Sequence, residues 1–233
     1  MKTLPRFARS AAHRCRRWLS LPLAILLAPV LPLDATAQSA DIDFAAIMDE
    51  LWIETPDEDA ITGVWWIPTE YWQPELLGMS AEETKEFRTV FDAYTVLVVI
   101  DGEIGLFGGT TFVPPSQLIG MVSLRDEEGG RYEPLAEEDI DGNALIFLSG
   151  LKPIFEGMLG PMGENMAVVM FPAESPGGRR IADPLAEGRF SVQVGERAFE
   201  WQTPLGSFLP PRFCPVDGKR LNGGWKYCPW HGE

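Results

Sequence analysis

The residues best suited to site chemistry lie in one stretch near the end of the chain, FCPVDGKRLNGGWKYCPWHG. It contains two similar steps, Cys-Pro-Val-Asp-Gly and Cys-Pro-Trp-His-Gly. A tight turn that ends in glycine can direct two side chains, three residues apart, at one ion. Zinc takes four ligands in a tetrahedron, drawn from thiolate, imidazole and carboxylate. The spacing therefore predicts a zinc site formed by Cys214, Asp217, Cys228 and His231.

The same stretch resembles the zinc ribbon, in particular the short bacterial kind whose two knuckles read Cys-Pro-x-Cys-Gly. The resemblance covers these 20 residues and concerns nothing before them. It implies a small knuckle over residues 209–233 in which zinc has a structural rather than a catalytic role. Asp217 and His231 stand where that pattern has cysteine. We expect a carboxylate beside two thiolates to bind zinc less tightly than four sulfur ligands would.

A disulfide between Cys214 and Cys228 is the alternative to zinc. In the zinc ribbon the leading cysteines of the two knuckles lie close together, so the resemblance also implies bonding distance for these two. An oxidising compartment favours disulfides in small appendages. Either cross-link would stabilise a piece of chain that is too small to bury a core of its own.

Residues 1–37 predict an export signal. Six lysines and arginines and no acid precede an apolar run from Trp18 to Leu33. That run is shorter than the roughly 20 apolar residues of a membrane span, and Ala35-Thr36-Ala37 fits a cleavage site. We therefore expect a periplasmic or secreted protein with no stable membrane span after cleavage. Because of Arg16-Arg17, export by the twin-arginine route remains an alternative to export by the Sec route.

Charge and residue scarcity limit the possible functions. Beyond residue 37 the chain has 13 lysines and arginines against 33 acids, a formal charge of −20. Such a field repels nucleic acid and anionic lipid surfaces. Cys214, Cys228 and His231 are the only cysteines and histidine in that part of the chain. A Ser-His-Asp or Cys-His arrangement outside the knuckle is therefore excluded.

Residues 41–208 predict an α+β domain built mainly from antiparallel strands, because most neighbouring strands are joined by tight turns. A β-sandwich decorated by helices is the alternative. Apolar periodicity predicts three helical segments, at 43–52, from the capping box Ser80–Glu83 onward, and at about 140–160 with a break at Pro153. Strands are predicted at 61–68, 94–100, 118–124, 131–132 and 167–173, and in a hairpin over 189–202. Asp101-Gly102 is predicted to be a hairpin turn.

The leading functional expectation is an exported, non-catalytic binding or structural module of unknown ligand, with a protein or a glycan as partner. Trp65, Trp66, Tyr71 and Trp72 lie within eight residues and form a possible aromatic binding surface, although such clusters are more often core.

Two other functions stay open. One is an envelope enzyme that uses carboxylates on glycans. The other is periplasmic metal handling through the knuckle or through the methionines at 158, 162, 166 and 170, whose thioethers suit copper(I) but are also common core fillers.

Overall fold

The computed structural model describes residues 44–55, 57–72 and 80–233, and the predicted export signal lies outside them. The described residues belong to one unit, Ile42–Glu233. All strand pairings among them are antiparallel, which confirms the predicted α+β class with mainly antiparallel sheets. No helix in this part of the chain is long and apolar enough to cross a membrane.

A five-stranded sheet forms the centre of the fold. Its two long strands pair over eight residues each, from Ala60 opposite Glu103 to Ile67 opposite Val96. Their β-branched and aromatic residues favour a strand that is buried on both faces. The members of this sheet are β1 (Trp52–Glu54), β2 (Ala60–Ile67), β3 (Tyr94–Ile104), β4 (Thr110–Phe112) and β7 (Ala167–Pro172).

A four-stranded sheet packs against one face of the first. It runs in the order β6 (Arg131–Tyr132), β5 (Val122–Arg125), β8 (Gly188–Val194), β9 (Arg197–Thr203). The ring of Trp66 on β2 lies 4.7 Å from that of Phe190 and 6.3 Å from that of Trp201. These contacts place the main apolar core between the two sheets.

Helices cover the opposite face of the first sheet. Trp65, which follows the strand alternation and points away from Trp66, lies 6.0 Å from Phe155. Phe147 contacts Phe87, so two helices meet on this face. The helices are α1 (Phe44–Leu51), α2 (Ala81–Phe91), α3 (Pro115–Leu118), α4 (Gly142–Leu159) and α5 (Pro161–Glu164).

Several local predictions are confirmed. The Ser80 hydroxyl accepts the Glu83 backbone N–H, and the Glu83 carboxylate accepts the Ser80 backbone N–H, which completes the capping box. The predicted hairpin is β8 and β9, with Val194 opposite Arg197 across the turn. The predicted strand at 167–173 is β7.

The prediction of a turn at Asp101-Gly102 is wrong, because β3 continues to Ile104. Thr62 donates a hydrogen bond of 2.5 Å to the Asp101 carboxylate from the neighbouring strand, which holds Asp101 within the sheet. A Cβ on Gly102 would lie 2.7 Å from the Phe112 ring, so this glycine permits close strand approach instead of a turn.

Two further boundaries differ from the prediction. Residues 118–121 belong to α3 and a short 3-10 turn, and strand β5 begins only at Val122, since Pro115 at the first helical position favours a helix start. Pro153 lies inside α4 and does not end it.

The predicted aromatic binding surface is also corrected. Trp66 is 1% exposed, and Tyr71 and Trp72 are buried too. Trp65 is half-buried against Tyr71 and Phe155. Trp65 and Trp66 lie on β2, which is covered on both faces. Trp72 follows a short 3-10 turn and packs against Phe87 and Phe147 of the helices. These rings are therefore part of the core and are not available to a sugar or a partner. The four methionines are divided among α4, α5, the following loop and β7, with the last two buried.

Candidate metal centre

Two turns of the same backbone form the centre of the knuckle. In the first, Gly218 N–H donates to the Cys214 carbonyl (2.9 Å) and Cys214 N–H donates to the Lys219 carbonyl (2.8 Å). In the second, Gly232 N–H donates to the Cys228 carbonyl (2.7 Å) and Cys228 N–H to the carbonyl of residue 233 (2.6 Å). Both glycines have positive φ, of 71° and 73°, a region that other residues rarely adopt. The repeat in sequence is therefore a repeat in structure.

Three side chains from these turns converge on one point. The Nδ1 atom of His231 lies 3.2 Å from the Cys214 sulfur and 3.4 Å from the Cys228 sulfur. All three ligand atoms lie within 4.8 Å of one another. A tetrahedral zinc ion with ordinary bond lengths would separate sulfur and nitrogen by about 3.6 Å. The spacing is therefore compatible with a shared metal ion.

Hydrogen bonding alone accounts poorly for this convergence. A single imidazole nitrogen offers either one lone pair or one proton, so His231 Nδ1 cannot make two full hydrogen bonds to the two sulfurs at once. A cation at the focus would accept a lone pair from every one of the three atoms. The donor set, two thiols and an imidazole, is one that zinc favours.

Backbone N–H groups surround the sulfur atoms. Burial raises the pKa of the Cys214 thiol, while hydrogen bonds from the backbone of Asp217 and Val216 oppose the rise. Burial acts in the same direction on Cys228, but the backbone N–H of Trp230 and the His231 side chain lower its pKa below the ordinary value. These donors favour thiolate, the form of cysteine that binds metals.

Asp217 lies at the edge of the cluster and is not one of the three converging side chains. Its carboxylate accepts the backbone N–H of Lys219 at 3.1 Å. That bond lowers the pKa of Asp217, and a hydrogen bond with the Cys214 side chain lowers it further. Asp217 occupies the position in the first turn that His231 occupies in the second. Its role as the fourth ligand stays a prediction.

Both cysteines are free thiols in the structure and both are buried, whereas His231 is exposed. Because the two sulfurs belong to one cluster, a disulfide is the chemical alternative to metal binding at this place. The two states are distinguished by metal content and by thiol reactivity.

The knuckle has only a very small apolar core. Cys214, Cys228 and Leu221 form this cluster, which is separate from the main core. The two-residue strands β10 (Arg212–Phe213) and β11 (Arg220–Leu221) pair beside it. So little buried surface cannot stabilise the fold of this segment without a cross-link or a support.

The main domain supplies such a support through Glu50 at the end of α1. One carboxylate oxygen of Glu50 accepts the Asn222 side-chain amide at 2.7 Å, and the other accepts the backbone N–H (2.9 Å) and the hydroxyl of Ser207. Nearby, Gly223 N–H donates to the Gly206 carbonyl at 3.0 Å. A Cβ on Gly206 would meet the Asn222 side chain, so the two loops approach as only glycine allows.

The role of Glu50 had no signal in the sequence, where it reads as an ordinary acid near the end of a helix. The two turns, in contrast, were predictable because each is encoded by five consecutive residues.

No protein-family model matches the sequence, and no curated protein or solved structure matches the chain.

Proposed function

We propose that this chain is an exported binding or structural module whose C-terminal knuckle holds one Zn²⁺ ion in a structural role. The observation that supports it is the convergence of Cys214, Cys228 and His231 from two turns with the same backbone hydrogen bonds. Two thiolates and an imidazole are ligands that zinc favours. Asp217 completes the tetrahedron directly or through a water molecule.

Burial and the small size of the knuckle support the structural role. Both cysteines are buried, and with Leu221 they make up the whole apolar cluster of the knuckle. Since a site of this kind does not exist in the unfolded chain, the free energy of zinc binding contributes to folding. Zinc would hold the knuckle in one shape, and Glu50 would hold that shape against the main domain.

Hydrogen exchange on zinc-loaded and chelated protein tests the proposal. We expect chelation to expose the amides of residues 212–233 to exchange, while β2, β3, β8 and β9 stay protected by their own core. Equal protection of the knuckle with and without zinc would contradict a structural role. Export is tested by N-terminal sequencing of protein recovered from the cells that make it, with Gln38 as the expected first residue.

The exposure of His231 favours a second function, the handling of a labile metal ion. An ion reached through an exposed imidazole exchanges faster than one enclosed on all sides. Transfer of zinc to a competing chelator distinguishes the two functions. Release within seconds would favour metal handling, and release over hours would favour the structural role.

A further inference from the structure

The surface of the knuckle is aromatic and basic in a repeated pattern. A basic residue and an aromatic residue precede each cysteine, Arg212-Phe213 before the first and Lys226-Tyr227 before the second. Phe213 is 64% exposed and Tyr227 is 59% exposed. The repeat of the turns therefore also repeats a pair of outward-facing side chains.

The tips of the turns continue this surface. Trp230, 62% exposed, stands two residues after its cysteine, and the exposed Val216 has the same position in the first turn. The Lys219 ammonium lies 5.7 Å from the centre of the Trp230 ring, and the Lys226 ammonium lies 5.5 Å from that of Tyr227. Both of these rings belong to the second turn, one with the lysine beside it and the other with a lysine from the first turn.

The charge of the knuckle is opposite to that of the rest of the chain. Residues 209–233 have four lysines and arginines against two acids, and residues 38–208 have nine against thirty-one. Salt limits the reach of an exposed charge to about 8 Å under physiological conditions. A surface that approaches the knuckle would therefore interact with its local positive charge and not with the net negative charge of the whole chain.

We infer that this basic aromatic surface of the knuckle binds the surface of a membrane that contains anionic lipids. Indole and phenol rings favour the boundary between water and hydrocarbon, and lysine ammonium groups reach the lipid phosphates. Protein interfaces are also rich in aromatic residues, but they are depleted in lysine, whereas both cations held over rings are lysines. The inference rests on the proposed function in one respect, since zinc holds the two turns in the shape that presents both pairs.

Vesicle sedimentation with the zinc-loaded mature chain tests the inference. We expect binding to vesicles of phosphatidylcholine mixed with phosphatidylglycerol and little binding to phosphatidylcholine alone, with a blue shift of tryptophan emission and weakening by added salt. The double variant Lys219→Gln/Lys226→Gln is expected to bind about 30-fold more weakly, given the usual contribution of a lysine beside an anionic bilayer. Tyr227→Ser/Trp230→Ser is expected to lose the blue shift and most of the binding.

A matched control is available at the hairpin between β3 and β4. Leu106 and Phe107 are fully exposed apolar residues, and no described lysine lies over the Phe107 ring. The variant Leu106→Ser/Phe107→Ser should bind vesicles like the unmodified chain. Equal loss in this variant would overturn the assignment of binding to the knuckle.

Zinc content measured on every sample separates the two proposals. If zinc-loaded protein does not bind phosphatidylglycerol vesicles, the membrane inference is overturned, while the proposed zinc site is unaffected. If zinc-free protein binds the vesicles, the proposal that zinc holds the knuckle in shape is overturned. The inference of membrane binding is then supported. Preference for poly-L-glutamate over the vesicles also overturns the inference, because it identifies an acidic protein as the partner.

Discussion

His231 is the residue on which the candidate metal centre depends most directly, since its Nδ1 atom contacts both sulfurs. We expect His231→Ala to lose stoichiometric zinc, because two thiolates alone do not complete a stable tetrahedron. Asp217→Asn should keep zinc with an affinity about 10–100-fold lower, as is usual when a supporting carboxylate is removed. Both effects are measured by titration with a competing chelator.

Lys226→Ala is the control for these two variants, since Lys226 lies in the same segment and its side chain is directed at Tyr227. It should bind zinc like the unmodified chain. Unchanged zinc affinity in His231→Ala would show that the imidazole is not a ligand. A complete loss of zinc in Asp217→Asn would instead make Asp217 a full ligand.

A hydrogen-bonded pair outside the knuckle, Tyr132 and Asp126, is expected to make the free energy of unfolding depend on pH. The Tyr132 hydroxyl donates to the Asp126 carboxylate at 2.7 Å. This bond raises the pKa of Tyr132 to about 12. Burial opposes the effect on Asp126, but the bonds from Tyr132 and from the Gly130 backbone outweigh it and lower the pKa of Asp126.

The two shifts act at opposite ends of the pH scale. Because the pKa of Asp126 is lowered by folding, its contribution is present above the unfolded value of about 3.9 and is lost as the pH falls through the folded pKa. Because the pKa of Tyr132 is raised by folding, its contribution is present below about pH 10 and is lost as the pH rises toward 12. Tyr132→Phe should therefore reduce the free energy of unfolding at neutral pH and leave it unchanged at both extremes. A difference that is constant with pH would contradict the assigned shifts.

The residues of the candidate centre were predictable to the extent that their geometry is local. Cys228 and His231 share one turn, so their proximity follows from three-residue spacing. Glu50 and Asn222 are separated by 172 positions in the sequence, and only the folded chain brings them together. No pattern within either segment specifies that contact.

At the scale of elements, α1 is the support of the knuckle through Glu50. We expect Glu50→Ala to reduce the free energy of unfolding by about 2 kcal/mol, because hydrogen bonds to a partly buried carboxylate are lost. Hydrogen exchange should also increase at Asn222 and Gly223. Chemical denaturation and hydrogen exchange measure these two effects.

Asp49→Ala is the matched control, since Asp49 is the preceding acid of the same helix and is exposed. It should change stability by no more than a few tenths of a kcal/mol. If Glu50→Ala behaved like Asp49→Ala, the knuckle would be supported by other contacts.

The helices and strands were predictable where the sequence signals are local. The predictions failed where contacts with a distant strand determine the structure. The β8–β9 hairpin follows from the alternation of Phe190, Val192 and Val194 before Gly195. Asp101-Gly102 has the composition of a turn, yet it lies within β3 because Thr62 and Phe112 on the neighbouring strands hold it there. The tertiary contacts outweigh the local preference.

At the scale of the whole molecule, a helix layer and two sheets form the main domain, and a knuckle with its own small apolar cluster is held against it. The class of the fold was predictable from strand and turn patterns. The order of the strands was not, because β3 pairs with β7, more than sixty residues away, through contacts that local patterns do not encode. The burial of Trp66 and Trp72 follows from the same layering and explains why an aromatic cluster that could have bound a ligand is core.

The most direct test of the zinc centre is the metal and thiol content of the mature chain, purified without reductant. We predict one zinc ion per chain and two thiols, Cys214 and Cys228, that react only after the zinc is removed. A chain with no zinc and no reactive thiol would contradict the zinc centre and show that the two cysteines form a disulfide.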